Sequence, residues 1–323
     1  MQPGTVLTQG RVQSKTTHAR LKYLLGEFLL FELRMQARAY WTSFPQVDDF
    51  VMAPEELLTG HAGCEAVVAV AWPLSAPQRC ISFTHGHIRY VPSVTPRFFM
   101  SLAGSFEEYL STNFQSKTRK NISRSVRLAQ EAGAVFTAYR SADEIGRFLT
   151  GAVELSKRTY QTKMLNAGLP NSEEFRSHAL KLAEQDRIRG YLLHVQNQPV
   201  AFAYCESADD VTLYYSTIGY HPQYANLSPG TVLLYCLLKE LFKEQRFRWL
   251  DFGPGAAQYK SIFATSSQLC GDVYLLRNNP KNLAIVLAHT SVESISAAMG
   301  KILKTAGVKR LIQKTLRAVS GAR

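Results

Sequence analysis

Residues 189–263 read RGYLLHVQNQPVAFAYCESADDVTLYYSTIGYHPQYANLSPGTVLLYCLLKELFKEQRFRWLDFGPGAAQYKSIF, and how this stretch parses decides the fold. Gly190–Gln196 and Pro199–Glu206 are apolar runs on either side of Asn197-Gln198, the punctuation of a hairpin. Val211–Thr217 is a third strand, rich in the β-branched and aromatic residues that suit a pleated surface. Thr231–Gln245 is helical, Arg248–Phe252 is a fourth strand, and Ala256–Ala264 is a short helix. Ser228 is the expected N-cap of the long helix, with Pro229 at the first helical position, where its missing N–H costs nothing. The N–H groups of Gly230 and Thr231 then point off the helix end, Gly230 brings no Cβ, and no Asp or Glu sits in the first turn. Such an end favours an anion, typically a phosphate.

The candidate catalytic cluster, Asp251, Tyr259 and Lys260, follows this helix. Asp251 closes the strand RWLD, where ligands collect at strand ends, and Gly253-Pro254-Gly255 lets the backbone turn sharply. In the short helix Tyr259 and Phe263 share a face, with Lys260 about 100° away. Lys260 is the expected donor to a developing oxyanion, an interaction worth about 10²–10³ in rate when preorganised. Asp251 is the candidate general base, with His221 and Tyr224 as further proton-transfer groups. There is no G-x-S-x-G elbow, no Walker or Rossmann glycine pattern, and no cysteine in a nucleophile context.

Strand, strand, strand, anion-binding helix start, strand and short helix is the order of the GNAT acyltransferase core. The segments YYSTIGYHPQYANLSPGTVLL, LDFGPGAAQYKSIF and, upstream, SFEEYLSTNFQSKTRKNISRSVRLAQEAG resemble the CelD-type acetyltransferase-like proteins associated with cellulose biosynthesis. The resemblance runs from about Ser105 to Leu276, and the YK-x-x-F ending is similar to Fem-type aminoacyltransferases of peptidoglycan bridges. It implies an α/β (α+β) fold with a mixed, mostly antiparallel sheet flanked by helices, and a two-lobed, pseudo-duplicated arrangement if the N-terminal third is a reduced copy of the core. It also implies acetyl-CoA or another acyl-CoA as cofactor, whereas the residues alone imply only an anion. Ser228, Gly230 and Thr231 would grip the pyrophosphate, and Ser216, Thr217 and Ile218 would pair with the pantetheine amides as an added strand. Fem-type relatives use the lysine at the position of Lys260. The implied acceptor is an amine or hydroxyl of a sugar, glycan or envelope precursor, and Arg158, Tyr160, Tyr215 and Tyr224 are the expected substrate contacts. Aminoacyl-tRNA as donor, or a non-catalytic scaffold in polysaccharide synthesis, are the alternatives.

The chain has 323 residues, a formal charge of +12 and 46% hydrophobic residues, enough for a sizeable core. From Lys281 to Arg323 eight Lys/Arg face one acid, Glu293, which places +7 of the excess in the tail. The organisation expected is an N-terminal α/β region over 1–115, the acyltransferase core over 116–280 and a basic helical segment over 281–323. Gly300–Val319 is basic and amphipathic, the pattern of peripheral contact with an anionic membrane or of a helix that closes a domain. Cys64, Cys80, Cys205, Cys236 and Cys270 form no C-x-x-C pair, the N-terminus is too polar for a signal peptide, and a cytoplasmic setting is expected, with the inner membrane as a peripheral site.

Elsewhere, residues 1–18 read as a flexible lead and Ala19–Tyr40 as a helix with Leu21, Leu24, Leu25, Phe28, Leu29 and Leu33 on one face. Cys64–Trp72, Cys80–Phe83 and Ile88–Val91 read as strands. His85 and His87 have no partnering ligand cluster, so metal binding is not expected. Ser116–Gly133 reads as a helix with Ser116 as N-cap and Gly133 at its end, carrying Lys117, Arg119, Lys120, Arg124 and Arg127, with Ile122, Val126 and Ala129 facing inward. No base-reading motif accompanies these charges, so nucleic acid is not the expected partner outside the tRNA alternative. Ala142–Tyr160 and Ser172–Asp186 read as helices around QTKMLNAGLP; the resemblance to a GNAT-type core, in which such helices wall the acceptor pocket, implies that Arg158, Tyr160 and Lys163 face an acceptor.

Overall fold

The structure, a computed structural model, describes residues 12–25, 28–42, 53–58, 65–74, 80–159 and 168–305, the last six as backbone alone. The chain divides into two compact units, one holding residues 95–269 and the other 12–42, 51–94 and 270 onward.

In the first unit six strands pair in the order β6 (Thr95–Ser101), β11 (Trp249–Pro254), β10 (Thr212–Tyr220), β9 (Gln198–Ser207), β8 (Ile188–Val195) and β7 (Ala134–Tyr139). Every neighbour is antiparallel except β10 and β11, which run parallel. This is the mixed, mostly antiparallel sheet flanked by helices that the sequence predicts. Its strands bury both faces, and the period of two sorts them. Leu193, Val195, Ala201, Ala203 and Cys205 join a core with α1 (Phe106–Asn113), α2 (Ser116–Glu131) and α5 (Pro229–Glu244). Ile188, Leu192, Phe202 and Tyr204 pack on the other side against α3 (Ala142–Lys157) and α4 (Glu173–Glu184).

Local rules place most ends. Ser105 and Ser141 each make a reciprocal capping box, with Glu108 and Glu144 respectively. The β8–β9 hairpin turns at Gln196 and Asn197, both with φ near +50° to +60°, the backbone of a two-residue primed turn. The turn thus sits one residue before the Asn197-Gln198 that the sequence suggests. Helix α2 begins at Ser116 with Gln115, not Ser116, at the cap position, and Ile122 and Ala129 face the core as expected.

The second unit corrects the largest misreading. Residues 19–40 are not a helix but most of a hairpin, β1 (Val12–Leu25) and β2 (Phe28–Thr42), in antiparallel register from Val12↔Thr42 to Leu25↔Phe28. Burial falls on Ala19, Leu21 and Tyr23 and on Met35, Ala37 and Ala39, a spacing of two. The leucine-rich run satisfies both a 3.6 and a 2.0 period, and pairing decided between them. Residues 12–18, read as a flexible lead, are part of β1. β2 lies parallel to β3 (Ala66–Pro73), which pairs with the part of β12 (Ser266–Arg277) from Cys270 to Leu276. β12 also pairs with β5 (His87–Val91), which pairs with β4 (Cys80–Thr84). α7 (Pro280–Thr305) adds Val286 to this core. His85 and His87 lie at the β4–β5 turn, and no metal-holding cluster occurs among the described residues. Cys64 and residues 306–323, with most of the expected amphipathic segment, lie outside the described residues, and no described helix is long and apolar enough to cross a membrane.

Candidate active site

The first unit contains a cavity of about 440 Å³, walled by Phe202, Tyr215 and Ile218 of the sheet, by the start of α5, and by Tyr259 and Phe263 of α6 (Gln258–Phe263). It forms because two neighbouring strands part. β10 pairs with β11 only over Thr212–Tyr214, opposite Trp249–Asp251, and a bulge against β9 falls between Tyr215 and Thr217. Beyond Tyr214 the β11-side edge of β10 is therefore open, and Ser216, Thr217 and Ile218 lie along it.

Gly219 sits in the wall for a steric reason. A Cβ there would stand 2.6 Å from the Phe202 ring and 2.7 Å from the Thr159 methyl, so the glycine lets both side chains close the cavity. At Gly230 the situation is reversed: a Cβ would meet only Tyr220, at 3.8 Å, an ordinary contact. The fold does not require glycine at 230, and its effect is to leave the cavity side of the helix start bare.

That start is built differently from the sequence expectation. Ser228 is left-handed (φ 51°, ψ 48°) and its hydroxyl caps nothing. Its N–H closes the preceding 3-10 turn (Pro222–Leu227) on Ala225, and its carbonyl accepts from the N–H of Thr231 at 3.0 Å and of Val232 at 3.1 Å. Thr231 is thus already satisfied, contrary to the expectation of two open N–H groups. Gly230 is the residue whose N–H faces no acceptor among the described residues. With no acid in the first turn, the positive end of α5 opens onto the cavity.

The hydroxyls here are donors. Burial pushes the Tyr259 phenol up to about 12 and holds that of Tyr215 well above its usual value. The two rings meet edge to face at 6.2 Å, and Phe252 packs edge-on against both. At neutral pH both phenols keep their protons. α6 is itself pinned, because Tyr109 of α1 donates to the Phe263 carbonyl at 2.7 Å.

The charged candidates lie elsewhere. The Asp251 side chain is fully buried: Oδ2 accepts from Arg97 Nη2 at 2.6 Å and Nε at 2.9 Å, and Oδ1 accepts from the Gly253 N–H at 2.7 Å. Both oxygens are committed, which corrects the general-base reading: Asp251 locks the turn. Lys260 does not line the cavity; Nζ donates to the carbonyls of Gly253 at 3.2 Å and Pro254 at 2.7 Å, bracing the same turn. His221 accepts the Gln223 N–H through Nδ1 and stacks edge-on with Tyr224, neither ring among the cavity walls. Arg158 turns outward to Glu154, and Tyr160 and Lys163 lie outside the described residues. The structure therefore brings together Ser228, Gly230, Thr231, Tyr215, Ile218 and Tyr259 of the predicted set. Sequence reading missed Thr159, Phe202, Leu233, Leu234, Phe263 and Arg97. Phe263 alone carried a usable signal, its helical spacing from Tyr259. The buried Cys205 thiol is pushed well above its usual value and is no nucleophile.

Comparison with known proteins adds the class. The sequence model of the family described as acetyltransferase (GNAT) domain matches residues 116–261. The match covers a little under half of the chain. The matched stretch runs from the start of α2 into α6 and includes the cavity-lining residues other than Phe263. None of the curated proteins matches the chain. Among solved structures, FemX aligns over 84% of this chain and 90% of its own at 11% identity and a TM-score of 0.48. The C-terminal domain of a putative lysylphosphatidylglycerol synthetase from Agrobacterium fabrum aligns over 64% of this chain and 66% of its own at 10% identity and a TM-score of 0.44. The ribosomal-protein-S18-alanine N-acetyltransferase from Escherichia coli aligns over 44% of this chain and 92% of its own at 17% identity and a TM-score of 0.30. Likeness at this level extends to no substrate.

Proposed function

We propose that the protein is an acyl-CoA-dependent N- or O-acyltransferase whose donor lies in the cavity between the β10 edge and the start of α5. The observation that carries this reading is the Gly230 N–H, without an acceptor at the positive end of α5, beside an open strand edge. A phosphate suits the first and the amides of a pantetheine arm suit the second. The thioester supplies an acyl carbon open to attack; on transfer a C–N or C–O bond forms, the C–S bond breaks and the departing sulfur needs a proton. Tyr259, protonated and facing the cavity, is the group to donate it, and the proton lost by the acceptor restores the phenol through water. Asp251, Arg97 and Lys260 position the turn and take no part in the transfer. The acceptor, an amine or hydroxyl of a sugar, glycan or envelope precursor, rests on the CelD-type resemblance alone.

One observation favours a second donor. α2 packs beside α5 and carries exposed Lys117, Lys120, Arg124 and Arg127, a surface suited to the phosphates of an aminoacyl-tRNA. A thiol-release assay with acetyl- and longer acyl-CoA over a panel of amino sugars and oligosaccharides separates the two. Acceptor-dependent release of CoA, reduced by about 10² or more in Tyr259→Phe, is the result expected for general-acid assistance. No release with any acyl-CoA, together with tRNA retention that falls steeply with salt, would overturn the first reading in favour of the second.

A further inference from the structure

The β1–β2 hairpin of the second unit is longer than the sheet that holds it. β2 pairs with β3 only over Ala37–Tyr40, so among the described residues the ribbon from Phe28 to about Arg34 has β1 as its sole strand partner. Burial follows. Met35, Ala37 and Ala39 are buried with exposed or half-buried neighbours between them, the signature of one covered face. Toward the tip the alternation disappears: Phe28, Leu29, Leu30 and Phe31 are 72%, 54%, 53% and 52% exposed. A bulge at Leu30 interrupts the alternation, but Phe28 and Phe31, opposite Leu25 and Tyr23, and Leu29, opposite Leu24, still fall on opposite faces, so apolar side chains are bare on both sides of the ribbon.

That two-sidedness selects the occupant. A protein groove or a second copy of the chain covers one face of a ribbon, whereas an apolar medium surrounds a tip. Leu24 pairs with Leu29 and Leu25 with Phe28, with a single bulge at Leu30, so most of the described backbone here carries its partner on entering an apolar medium. The ring of Phe31 stacks on Tyr23 at 3.9 Å, which holds the ribbon's form just behind the tip. Behind it the surface turns basic. β1 and β2 carry Lys15, Arg20, Lys22, Arg34 and Arg38 against Glu32, with Glu27 in the connection between them; Arg34 Nε donates to Glu32 at 2.7 Å and Arg20 lies 4.0 Å from the same carboxylate, and Arg20, Lys22 and Arg34 are exposed. Lys22 stands three residues behind Leu25, about 10 Å at the rise of a strand. That matches the depth of about 5–10 Å to which interfacial elements enter the head-group boundary.

We propose that the Phe28–Phe31 tip inserts into the interface of an anionic phospholipid bilayer, with Arg20, Lys22 and Arg34 meeting the head groups. The surface is distinct from the acyltransferase cavity and does not depend on its donor. It is also distinct from the basic C-terminal segment, and the test separates them. Full-length protein is sedimented with vesicles of phosphatidylcholine, with and without phosphatidylglycerol as a third of the lipid. Binding to the anionic vesicles alone is expected, weakened at least tenfold by Phe28→Ser with Leu29→Ser. Lys22→Gln should weaken it about fivefold, the effect of removing one basic residue near the surface. Thermal denaturation of each variant should match the parent, since the altered side chains are exposed. A Phe28→Trp variant reads insertion directly: its emission should shift to the blue on adding anionic vesicles. Unchanged emission, binding that survives the serine variant but is lost on deleting residues 306–323, or a dimer in solution that the serine variant dissociates would each overturn the proposal.

Discussion

Two regions of the first unit, the start of α5 and the turn after β11, use their polar groups in opposite ways. At the turn after β11, every candidate for chemistry is occupied: Asp251 by Arg97 and Gly253, Lys260 by the Gly253 and Pro254 carbonyls. At the start of α5 the polar groups are backbone and hydroxyl, and they remain open: the Gly230 N–H, the β10 edge beyond Tyr214, and the Tyr259 phenol facing the cavity. The residues with the most reactive side chains brace the turn, and less conspicuous ones line the cavity proposed as the site. Charged groups gain strength from burial only when paired, and once paired they are no longer available to a substrate.

The comparison breaks first at Arg97. Arg97→Ala leaves the Asp251 carboxylate buried without its partner and should destabilise the fold by about 3–5 kcal/mol. Adding Asp251→Asn should recover part of the loss, as read from chemical denaturation of the single and double variants. Were Arg97→Ala as stable as the parent but inactive, Asp251 would belong to the site. Next is Lys260→Met, which removes a charged donor from two carbonyls and should cost about 1–3 kcal/mol while leaving cofactor affinity intact. A loss of affinity without loss of stability would move Lys260 into the machinery. The smallest effect is in alkali. Because the Tyr259 pKa is raised from 10 to about 12, its contribution to stability is complete below about pH 10 and is lost as pH climbs through about 12. Phenylalanine at 259 should flatten that part of the stability profile, and an unchanged profile would mean that the phenol is not buried as described.

How much of this was legible in the sequence depends on the range of the interaction. The β8–β9–β10 run, α5 and α6 were readable because alternation, turn residues and helical spacing all act within a few positions. The hairpin at residues 12–42 was not, since LLGEFLLF supports either period until a strand pairs with it. Asp251 looked like a base because Arg97 lies 154 residues upstream and no local pattern joins them. Ser228 looked like a cap because serine usually is one, but the 3-10 turn before it forces a left-handed backbone there and turns its carbonyl to Thr231. Thr159 and Phe202 entered the cavity wall only through Gly219, a contact that exists in three dimensions alone.

The most direct test of the central claim is calorimetric titration of the full chain with acetyl-CoA and a longer acyl-CoA, beside Gly230→Glu. The variant fits the protein, because a Cβ at 230 meets only Tyr220, yet it places a carboxylate where the phosphate is expected. Saturable one-site binding by the parent, abolished in a variant of equal thermal stability, is the predicted result. Binding of equal strength by the variant, or none by the parent to any acyl-CoA, would contradict it.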